Sequence, residues 1–454
     1  MLKEYGKYKI SNSYFGIKIP YEWDESKILH LFNIVSDKNH GNEELLSVYL
    51  NKGVVKYSST SQMQVHKPSE DLSNYQLVKP GDFVLNNQQA WRGSVGVSKF
   101  RGIISPAYYI LRPRKDINSD FLNYIVRDCT IVNQFVVASK GVGSIQRQIY
   151  LPYLKNIMIP IPQRPEQDKI VQFLDWKISE MNHFIHQKKK QIKLLEALKR
   201  NIIDDLITNG KNSEKRVKIS KAKWMGNVPY DWNEYRLKNL FQEINVRSEL
   251  GLEPHLSMSQ KKGLVTDDED IERRLLSESY AGAKLCEKDD LVLNRLKAHL
   301  GVFALAPMKG IVSPDYTVLR INAKRVIPKY LEYLLKSNAC RRELVTRVRG
   351  IVEGFWRLYT EDLGEIPVCI PNIEEQKAIL EVILEKTNNI DEMISGINKE
   401  ITLVEELRTK LISDVVTGQI DVRDVKIPIY EVETDIIDFE DDTDEENLDE
   451  SIEE

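Results

Sequence analysis

The segment KGIVSPDYTVLRI at residues 309–321 repeats a segment that the chain already carries at residues 101–113, RGIISPAYYILRP. Other short segments recur in the same order, always 208 to 210 residues later. The clearest pairs are IPYEW (19–23) with VPYDW (228–232), GDFVLN (81–86) with DDLVLN (289–294), IPIPQRPEQ (159–167) with VCIPNIEEQ (368–376), and DDLITNG (204–210) with SDVVTG (413–418). Chance similarity does not preserve order and spacing together, so residues 8–210 and 218–420 are predicted to share one fold.

The composition is that of a globular protein. A chain of 454 residues is too long for one core, and 42% hydrophobic with 29% charged residues is ordinary for a soluble protein. The sequence has neither an apolar run of eighteen residues nor a basic-then-apolar leader, which favours a cytoplasmic protein with no membrane partner. Four widely separated cysteines and scattered histidines predict neither a disulfide framework nor a metal site.

The net charge of −4 hides an uneven distribution. Residues 431–454 hold 14 acids and no base, which leaves 54 acids against 64 bases in residues 1–430. A basic body suits a polyanionic partner, although an ordinary solvated surface would have a similar charge. Residues 421–454 are predicted to form an acidic, disordered tail, with mimicry of nucleic acid as a weaker alternative.

Each repeat contains two kinds of region, a mixed region of strands and short helices and one long helix. Short apolar runs between Gly, Pro and Asn indicate strands and turns, and flanking segments with apolar residues at three-four spacing indicate short helices. We therefore expect α+β recognition globules at residues 1–164 and 211–373. A long uninterrupted helix should follow each globule, at 165–210 and 374–420.

The two long helices carry an apolar stripe that must be buried. At 1.5 Å per residue each forms a rod of roughly 60 Å, and the other rod is the simplest partner. The alternative is that each helix packs only on its own globule. We prefer an antiparallel coiled coil, which would give the molecule a pseudo-two-fold symmetry. The predicted interface residues are Ile178, Ile185, Ile192, Leu195, Ile202, Ile390, Ile397, Ile401, Val404 and Leu411.

A search for catalytic motifs finds none. Phosphate-binding glycine loops, zinc-binding HExxH, nucleophile elbows and adenine-methyltransferase tetrapeptides are absent from the sequence. His183 and His186 have metal-compatible spacing but lack a third ligand. The chain is therefore predicted to be a recognition protein with no catalytic residues and no bound cofactor.

Amide and cationic side chains gather in two pairs of aligned segments, where they could read nucleic acid. Asn and Gln can bond adenine, Arg can bond guanine, and Lys and Arg neutralise phosphates. Because the SPxY strands are nearly identical in both halves, they are expected to be scaffold, and discrimination should lie where the halves differ. The alternative for each residue is a solvated loop. The candidates are Asn86, Asn87, Gln88, Gln89, Arg92, Lys99, Arg101, Lys140, Gln146 and Arg147 in the first half, and Asn294, Arg295, Lys297, His299, Lys309, Arg349, Trp356 and Arg357 in the second.

The ordered series of motifs resembles the DNA-specificity subunit of type I restriction-modification systems over residues 8–420. The segments that carry the resemblance are IPYEW/VPYDW, GDFVLN/DDLVLN, GIISPAY/GIVSPDY, and the IPIPQRPEQ and CIPNIEEQ segments that lead into helices ending in LITNG and VVTG. The acidic segment beyond Val425 departs from the usual pattern.

The resemblance implies two target recognition domains, each reading one part of a bipartite double-stranded DNA target. It also implies docking onto two methylation subunits, which use S-adenosylmethionine, and onto two restriction subunits, which use ATP and Mg. Two alternatives stay open. The chain could be an autonomous DNA-modifying or DNA-cleaving enzyme with degenerate motifs, or a coiled-coil scaffold that does not bind DNA.

The length of the helices should set the spacing of the half-sites. Half-sites read on one DNA face lie about 34–36 Å apart, a distance that rods of roughly 60 Å can straddle. We predict that lengthening both helices by one turn changes the unread spacer and leaves both half-sites unchanged, as mapped from methylated adenines in the genome. An unchanged spacer would contradict this role.

Overall fold

The structure is a computed structural model. It describes residues 3–50, 52–59, 68–69, 71–142, 146–211, 216–259, 262–266, 280–350 and 356–431, without the side chains of residues 142, 146 and 299. The chain divides into unit 1, which comprises Met1–Lys188 and Lys399–Glu454, and unit 2, which comprises Lys189–Asn398. Unit 1 thus combines segments from both ends of the sequence.

The described part of unit 1 contains short strands and helices around one antiparallel sheet. Strands β1–β14 are Tyr8–Ile10, Lys18–Pro20, Asp24–Lys27, Phe32–Val35, Leu46–Tyr49, Gly53–Lys56, Gln76–Val78, Phe83–Asn86, Val95–Val97, Gly102–Ile104, Tyr108–Pro113, Ser139–Val142, Gln146–Ile149 and Met158–Ile161. Helices α1–α4 are Ile28–Leu31, Ser119–Arg127, Cys129–Val137 and Leu151–Leu154, and the long helix α5, Arg164–Asn209, follows them. The central sheet has the order β4-β11-β8-β9.

The described part of unit 2 repeats this pattern. Strands β15–β26 are Val217–Ile219, Asn227–Pro229, Asn233–Arg236, Phe241–Ile244, Leu256–Ser259, Gly263–Thr266, Lys284–Cys286, Leu291–Asn294, Phe303–Leu305, Gly310–Val312, Tyr316–Ile321 and Pro367–Ile370. Helices α6–α9 are Pro328–Lys336, Asn338–Val345, Thr360–Gly364 and Ile373–Val416. The sheet order β18-β25-β22-β23 matches that of unit 1 strand for strand, which confirms the tandem α+β repeat.

The long helices α5 and α9 run antiparallel within each unit. In unit 1, Lys188 pairs with Glu400 at 2.5 Å, and Arg408 donates to Asn182 at 2.8 Å, so numbers fall on α5 as they rise on α9. In unit 2, Lys199 donates to Asp391 at 2.6 Å. The predicted antiparallel helix pair is therefore confirmed. The ten predicted interface residues are all buried or half-buried.

The strand that follows each repeated SPxY turn carries an arginine with a structural role. Arg112 on β11 donates two hydrogen bonds to Asp82, at 2.8 and 2.7 Å, and Arg320 on β25 donates two to Asp290, at 3.0 and 2.8 Å. Both aspartates are almost fully buried. Removing one partner from such a pair would leave a buried charge and cost about 3–5 kcal/mol, which accounts for the presence of both residues in each repeat.

The repeated PEQ and EEQ motifs anchor the start of each long helix. The Gln167 side chain donates to Pro162 O at 2.9 Å and accepts from Asn118 N at 2.8 Å. Gln376 in unit 2 donates to Pro371 O and accepts from Ile327 N at the same two distances. Because both amides are buried and fully used, they fix the long helix to the loop that precedes α2 or α6.

The repeated tryptophans cover the glycines that end the long helices. Gly210 and Gly418 have positive φ values of 76° and 74°, in the left-handed region that favours glycine. A Cβ atom at Gly210 would lie 3.2 Å from Trp232, and one at Gly418 would lie 3.2 Å from Trp23 and overlap Pro20. The end of α9 therefore packs on the globule of unit 1, and the end of α5 on that of unit 2.

The segment after α9 differs from the disordered tail that the sequence predicts. Residues 421–431 pack on unit 1, where Asp421 N donates to Lys3 O at 2.8 Å and Ser179 donates to Glu431 O at 2.8 Å. Val422 belongs to the core of unit 1, and Val425 and Ile427 pack against it. Apolar residues hold this part, whereas residues 432–454 lie outside the described residues. The predicted domain boundaries stay predictions.

We predict that Gly418→Ala destabilises unit 1 by about 3 kcal/mol, because it adds overlap with Pro20 to the strain of a positive φ. Gly81→Ala is the matched control: φ is 88° there, but no atom lies within 4 Å of the added Cβ, so strain alone should cost about 1–2 kcal/mol. Urea denaturation measures both losses, and equal losses would contradict the packing argument.

Candidate nucleic-acid interface

The first candidate segment, residues 86–94 in unit 1 and 294–302 in unit 2, has the same backbone in both units. Asn86 Oδ1 accepts from Gln88 N at 2.9 Å, and Asn294 Oδ1 accepts from Leu296 N at 3.0 Å. A 3-10 turn follows, and a glycine with positive φ, Gly93 or Gly301, ends it. The side-chain oxygens of Asn86 and Asn294, both predicted to read bases, are thus used to hold the turn.

The second candidate segment comprises the described residues 139–142 and 146–149 in unit 1 and 349–350 and 356–358 in unit 2, and it lies beside the first. In unit 1 it is the hairpin of β12 and β13, and in unit 2 Arg349 and Arg357 exchange backbone hydrogen bonds of 2.9 and 2.8 Å. Ile149 N donates to Asn87 O and Leu358 N donates to Arg295 O, both at 3.0 Å. One hydrogen bond at equivalent positions therefore joins the two segments in each unit.

In unit 1 the joined segments form a cluster of cations and aromatic rings. The Trp91 indole donates to Gln88 O at 2.9 Å, and the guanidinium groups of Arg92 and Arg147 lie 4.7 and 5.4 Å from its ring centre. Such stacking costs little hydration of the guanidinium, and it leaves the edge of Arg92 available for hydrogen bonds.

Lys140 extends this cluster along the hairpin. Its ammonium lies 3.9 Å from the ring centre of Tyr150 and 4.8 Å from that of Tyr153. Within the part of the chain that the structure describes, neither Lys140 nor Arg92 has a carboxylate partner, so both charges are available to an anion. Gln88 and Gln89 are exposed beside them, and Asn87 is half-buried.

Unit 2 places different side chains on the same backbone. Arg295 is half-buried and donates to Thr317 at 2.7 Å and to Glu243 at 3.3 Å, so the sheet holds its guanidinium. Beside it, burial and then the charge of Arg295 lower the pKa of Lys284, whose ammonium donates to Tyr316 O at 2.7 Å. Lys297 is half-buried as well. In this half of the interface, hydrogen bonds to the sheet hold the cations Arg295 and Lys284.

The second segment of unit 2 keeps the cation and tyrosine arrangement. Arg349 lies 5.8 Å from the ring centre of Tyr359 and also bonds to Asp362. Trp356 and Arg357 are exposed next to it. Arg349 and Tyr359 correspond in the repeat to Lys140 and Tyr150, which indicates a shared site with different chemistry around it.

Three predicted residues lie apart from these segments. Lys99 and Arg101 lie after the C-terminal end of β9, and Lys309 lies after that of β23, whereas the first candidate segment precedes these strands. Lys99 pairs with Asp120 at 2.9 Å, Arg101 with Glu43 at 2.8 Å and Lys309 with Glu287 at 3.1 Å. Among the described residues, no hydrogen bond or ion pair joins them to the other candidates. The side chains of Gln146 and His299 lie outside the described residues.

Sequence reasoning missed most of the aromatic residues of the site. Trp91, Tyr150, Tyr153 and Tyr359 contact the candidate cations. The sequence predicts mainly cations and amides, with Trp356 and His299 as the aromatic candidates. An available signal was the placement of tyrosines beside cations in IYLPYLK, because aromatic rings next to Lys and Arg are typical of surfaces that stack on bases.

The described residues offer little else to bind a cofactor. They contain no group of three His, Cys, Asp or Glu side chains placed to hold a metal ion. Within the same residues, none of the helices is both long and apolar enough to cross a membrane.

Comparison with known proteins finds relatives that all belong to type I restriction systems. The type I restriction modification DNA specificity domain matches residues 20–194 and 229–403. A putative type I restriction enzyme MjaX specificity subunit of Methanocaldococcus jannaschii is 24% identical over 434 residues, covering 89% of this chain and 95% of that protein. The type I restriction enzyme MjaVIII specificity subunit of the same organism is 24% identical over 435 residues, covering 90% and 96%.

A solved structure concerned with complex assembly and conformational transition of the type I R-M system contains a chain of the same fold. It aligns with a TM-score of 0.58 at 15% identity, covering 89% of this chain and 100% of that one. Because the specificity domain matches the chain twice and accounts for most of its length, the chain belongs to the type I restriction-modification DNA specificity family.

Proposed function

We propose that the chain is a non-catalytic specificity subunit that reads a bipartite DNA target, with one half-site for each unit. The observation that carries this proposal is one backbone frame that presents different side chains. Asn87, Gln89 and Arg92 in unit 1 correspond to Arg295, Lys297 and Leu300 in unit 2, within turns of the same conformation. The same backbone with different side chains suits two units that recognise different DNA sequences.

The residue types fit this task. Exposed amides such as Gln88 and Gln89 can pair with adenine, and an arginine edge can pair with guanine. Cations that lack a carboxylate partner among the described residues, such as Arg92 and Lys140, can neutralise phosphates. Methylation and cleavage then belong to partner subunits that use S-adenosylmethionine, ATP and Mg in the cytoplasm, while this chain binds no cofactor.

We expect the variant with Gln88→Ala and Gln89→Ala to relax one half of the recognised motif and to leave the other half intact. Both side chains are exposed, and the loss of a bidentate base contact removes about 1–3 kcal/mol of discrimination. Mapping of methylated adenines in cells that carry the variant and its partner subunits measures the change.

The matched variant is Arg357→Ala in unit 2, whose side chain is also exposed. It should alter the opposite half of the motif. Changes in the same half for both variants would contradict the assignment of one half-site to each unit.

The scaffolding part of the proposal has support on the long helices. Seven large apolar side chains of α5 and α9 are exposed by 37–64%. Leu384 has no apolar counterpart, because the equivalent residue in α5 is Asp175. The other six fall at equivalent positions of the repeat, and none of them is among the ten predicted interface residues: Phe184 with Met393, Leu194 with Leu403, and Leu198 with Leu407. Equivalent exposed residues on both helices indicate two equivalent docking surfaces.

We infer that three of these six residues form one patch in each unit. In unit 1 the pairs Lys188–Glu400 and Asn182–Arg408 fix the register, so Phe184 lies across from Leu403 and Leu407. In unit 2 the pair Lys199–Asp391 places Met393 across from Leu194 and Leu198 in the same way. We propose that each patch binds one methylation subunit. Two restriction subunits then join the complex through the methylation subunits.

The variant with Leu403→Ser and Leu407→Ser should lose a methylation subunit from the purified complex. Each leucine that is buried on docking contributes about 1.5 kcal/mol, so affinity should fall roughly a hundredfold. Glu406→Ser, an exposed change on the same helix, is the control. Unchanged stoichiometry by light scattering in the leucine variant would contradict this docking surface.

A further inference from the structure

A second cationic cluster is present in both units, on the hairpins of β1 with β2 and of β15 with β16. In unit 1 it consists of Lys7, Lys9 and Tyr21, and in unit 2 of Arg216, Lys218 and Tyr230. The members correspond in the repeat one by one. They lie in other segments of the chain than the candidate reading residues.

Strand pairing puts the three side chains on one face of each hairpin. Tyr21 N donates to Lys7 O at 3.0 Å and Tyr230 N donates to Arg216 O at 2.8 Å, so each tyrosine lies opposite the first cation. The second cation lies two residues further along the strand and therefore on the same side. Lys9 and Lys218 each lie 5.9 Å from the tyrosine ring centre, and Arg216 lies 5.0 Å from that of Tyr230.

The outer part of this cluster faces solvent. Tyr21 and Tyr230 are 63% and 58% exposed, and Lys7 and Arg216 are exposed without a carboxylate partner among the described residues. The inner lysine of each hairpin donates to the carbonyl oxygen of the buried tryptophan, Trp23 or Trp232, which fixes its position. Fold stability accounts for that inner lysine but not for the exposed cation and phenol.

The duplication restricts what could bind there. Side chains that match in both units suit a ligand that offers the same chemistry to each, unlike the bases of two different half-sites. The acidic residues 431–454 occur once in the chain and cannot serve two hairpins. Residues 7–23 have three cations and one acid, and residues 216–232 have four cations and one acid, so both hairpins suit an anion.

We propose that each hairpin binds the phosphate backbone of duplex DNA without regard to sequence, and that it positions its unit on the target. The inference rests on the proposed function. Lys, Arg and Tyr side chains are common donors to phosphate oxygens, and such contacts set orientation while base contacts set sequence. The same backbone runs through both half-sites, which accounts for the same cluster in both units.

The test uses the complex of the full chain with its methylation subunits and the variant with Lys7→Ala and Arg216→Ala. Affinity should fall by the same factor for a target duplex and for an unrelated duplex. The slope of log affinity against log salt should decrease by about 1 for each lost cation, so by about 2. The methylated motif should stay the same. In the variant with Tyr21→Phe and Tyr230→Phe, affinity should fall with little change of slope, because only two neutral donors are lost.

The matched control is the variant with Lys115→Ala and Lys324→Ala, which removes one exposed lysine from equivalent loops of each unit and should keep the wild-type slope. A wild-type slope in the hairpin variant overturns the inference, and so does an equal fall in the control. Loss of the methylation subunits from the hairpin variant would reveal a protein-docking surface instead and also overturns it. If the wild-type complex shows no salt-dependent DNA binding, the proposed function itself fails, and this inference fails with it.

Discussion

The fold depends on how each long helix ends against a tryptophan of the unit in which it does not begin. Helix α5 begins in unit 1 and ends at Gly210 beside Trp232, and α9 begins in unit 2 and ends at Gly418 beside Trp23. A large ring that is almost fully buried fixes the helix end, and the left-handed glycine lets the chain turn beneath it. Neither repeat is therefore complete alone, and the core of unit 1 holds both Tyr5 and Val422.

Residues that match between the units mostly hold this frame, and residues that differ lie on the candidate interface. Arg112 and Arg320 bind buried aspartates, and Gln167 and Gln376 tie the long helices to their globules. The exceptions are matched residues that face solvent, on the β1–β2 and β15–β16 hairpins and on α5 and α9. A matched residue without a role inside the fold points to a partner common to both units, whereas a differing residue points to discrimination.

Much of the fold could be predicted from the sequence, because the spacing of apolar residues indicates the helices and strands and the tandem repeat indicates two similar units. Uninterrupted three-four spacing predicts two long helices, and the repeat offset predicts matching sheets. Side-chain roles were harder to predict. Because asparagine can bond adenine, the sequence predicts Asn86 and Asn294 as base readers, yet their oxygens hold turns. The amide chemistry is the same in both uses. The sequence predicts residues 421–431 as part of the tail because the acids that follow dominate the composition, whereas Val422 and Ile427 pack in unit 1.

The two units differ in how freely their reading residues can change. In unit 2 Arg295 bonds Thr317 and Glu243, so a substitution there would leave a half-buried carboxylate without its partner and would act on the sheet as well as on recognition. At the equivalent position of unit 1, the side-chain oxygen of Asn87 is buried without a hydrogen-bond partner among the described residues. A substitution of Asn87 therefore breaks no bond of that oxygen within this part of the chain. Because residues that share a hydrogen bond do not contribute additively to stability, unit 2 must change Arg295 together with Glu243, whereas unit 1 can change Asn87 without that constraint.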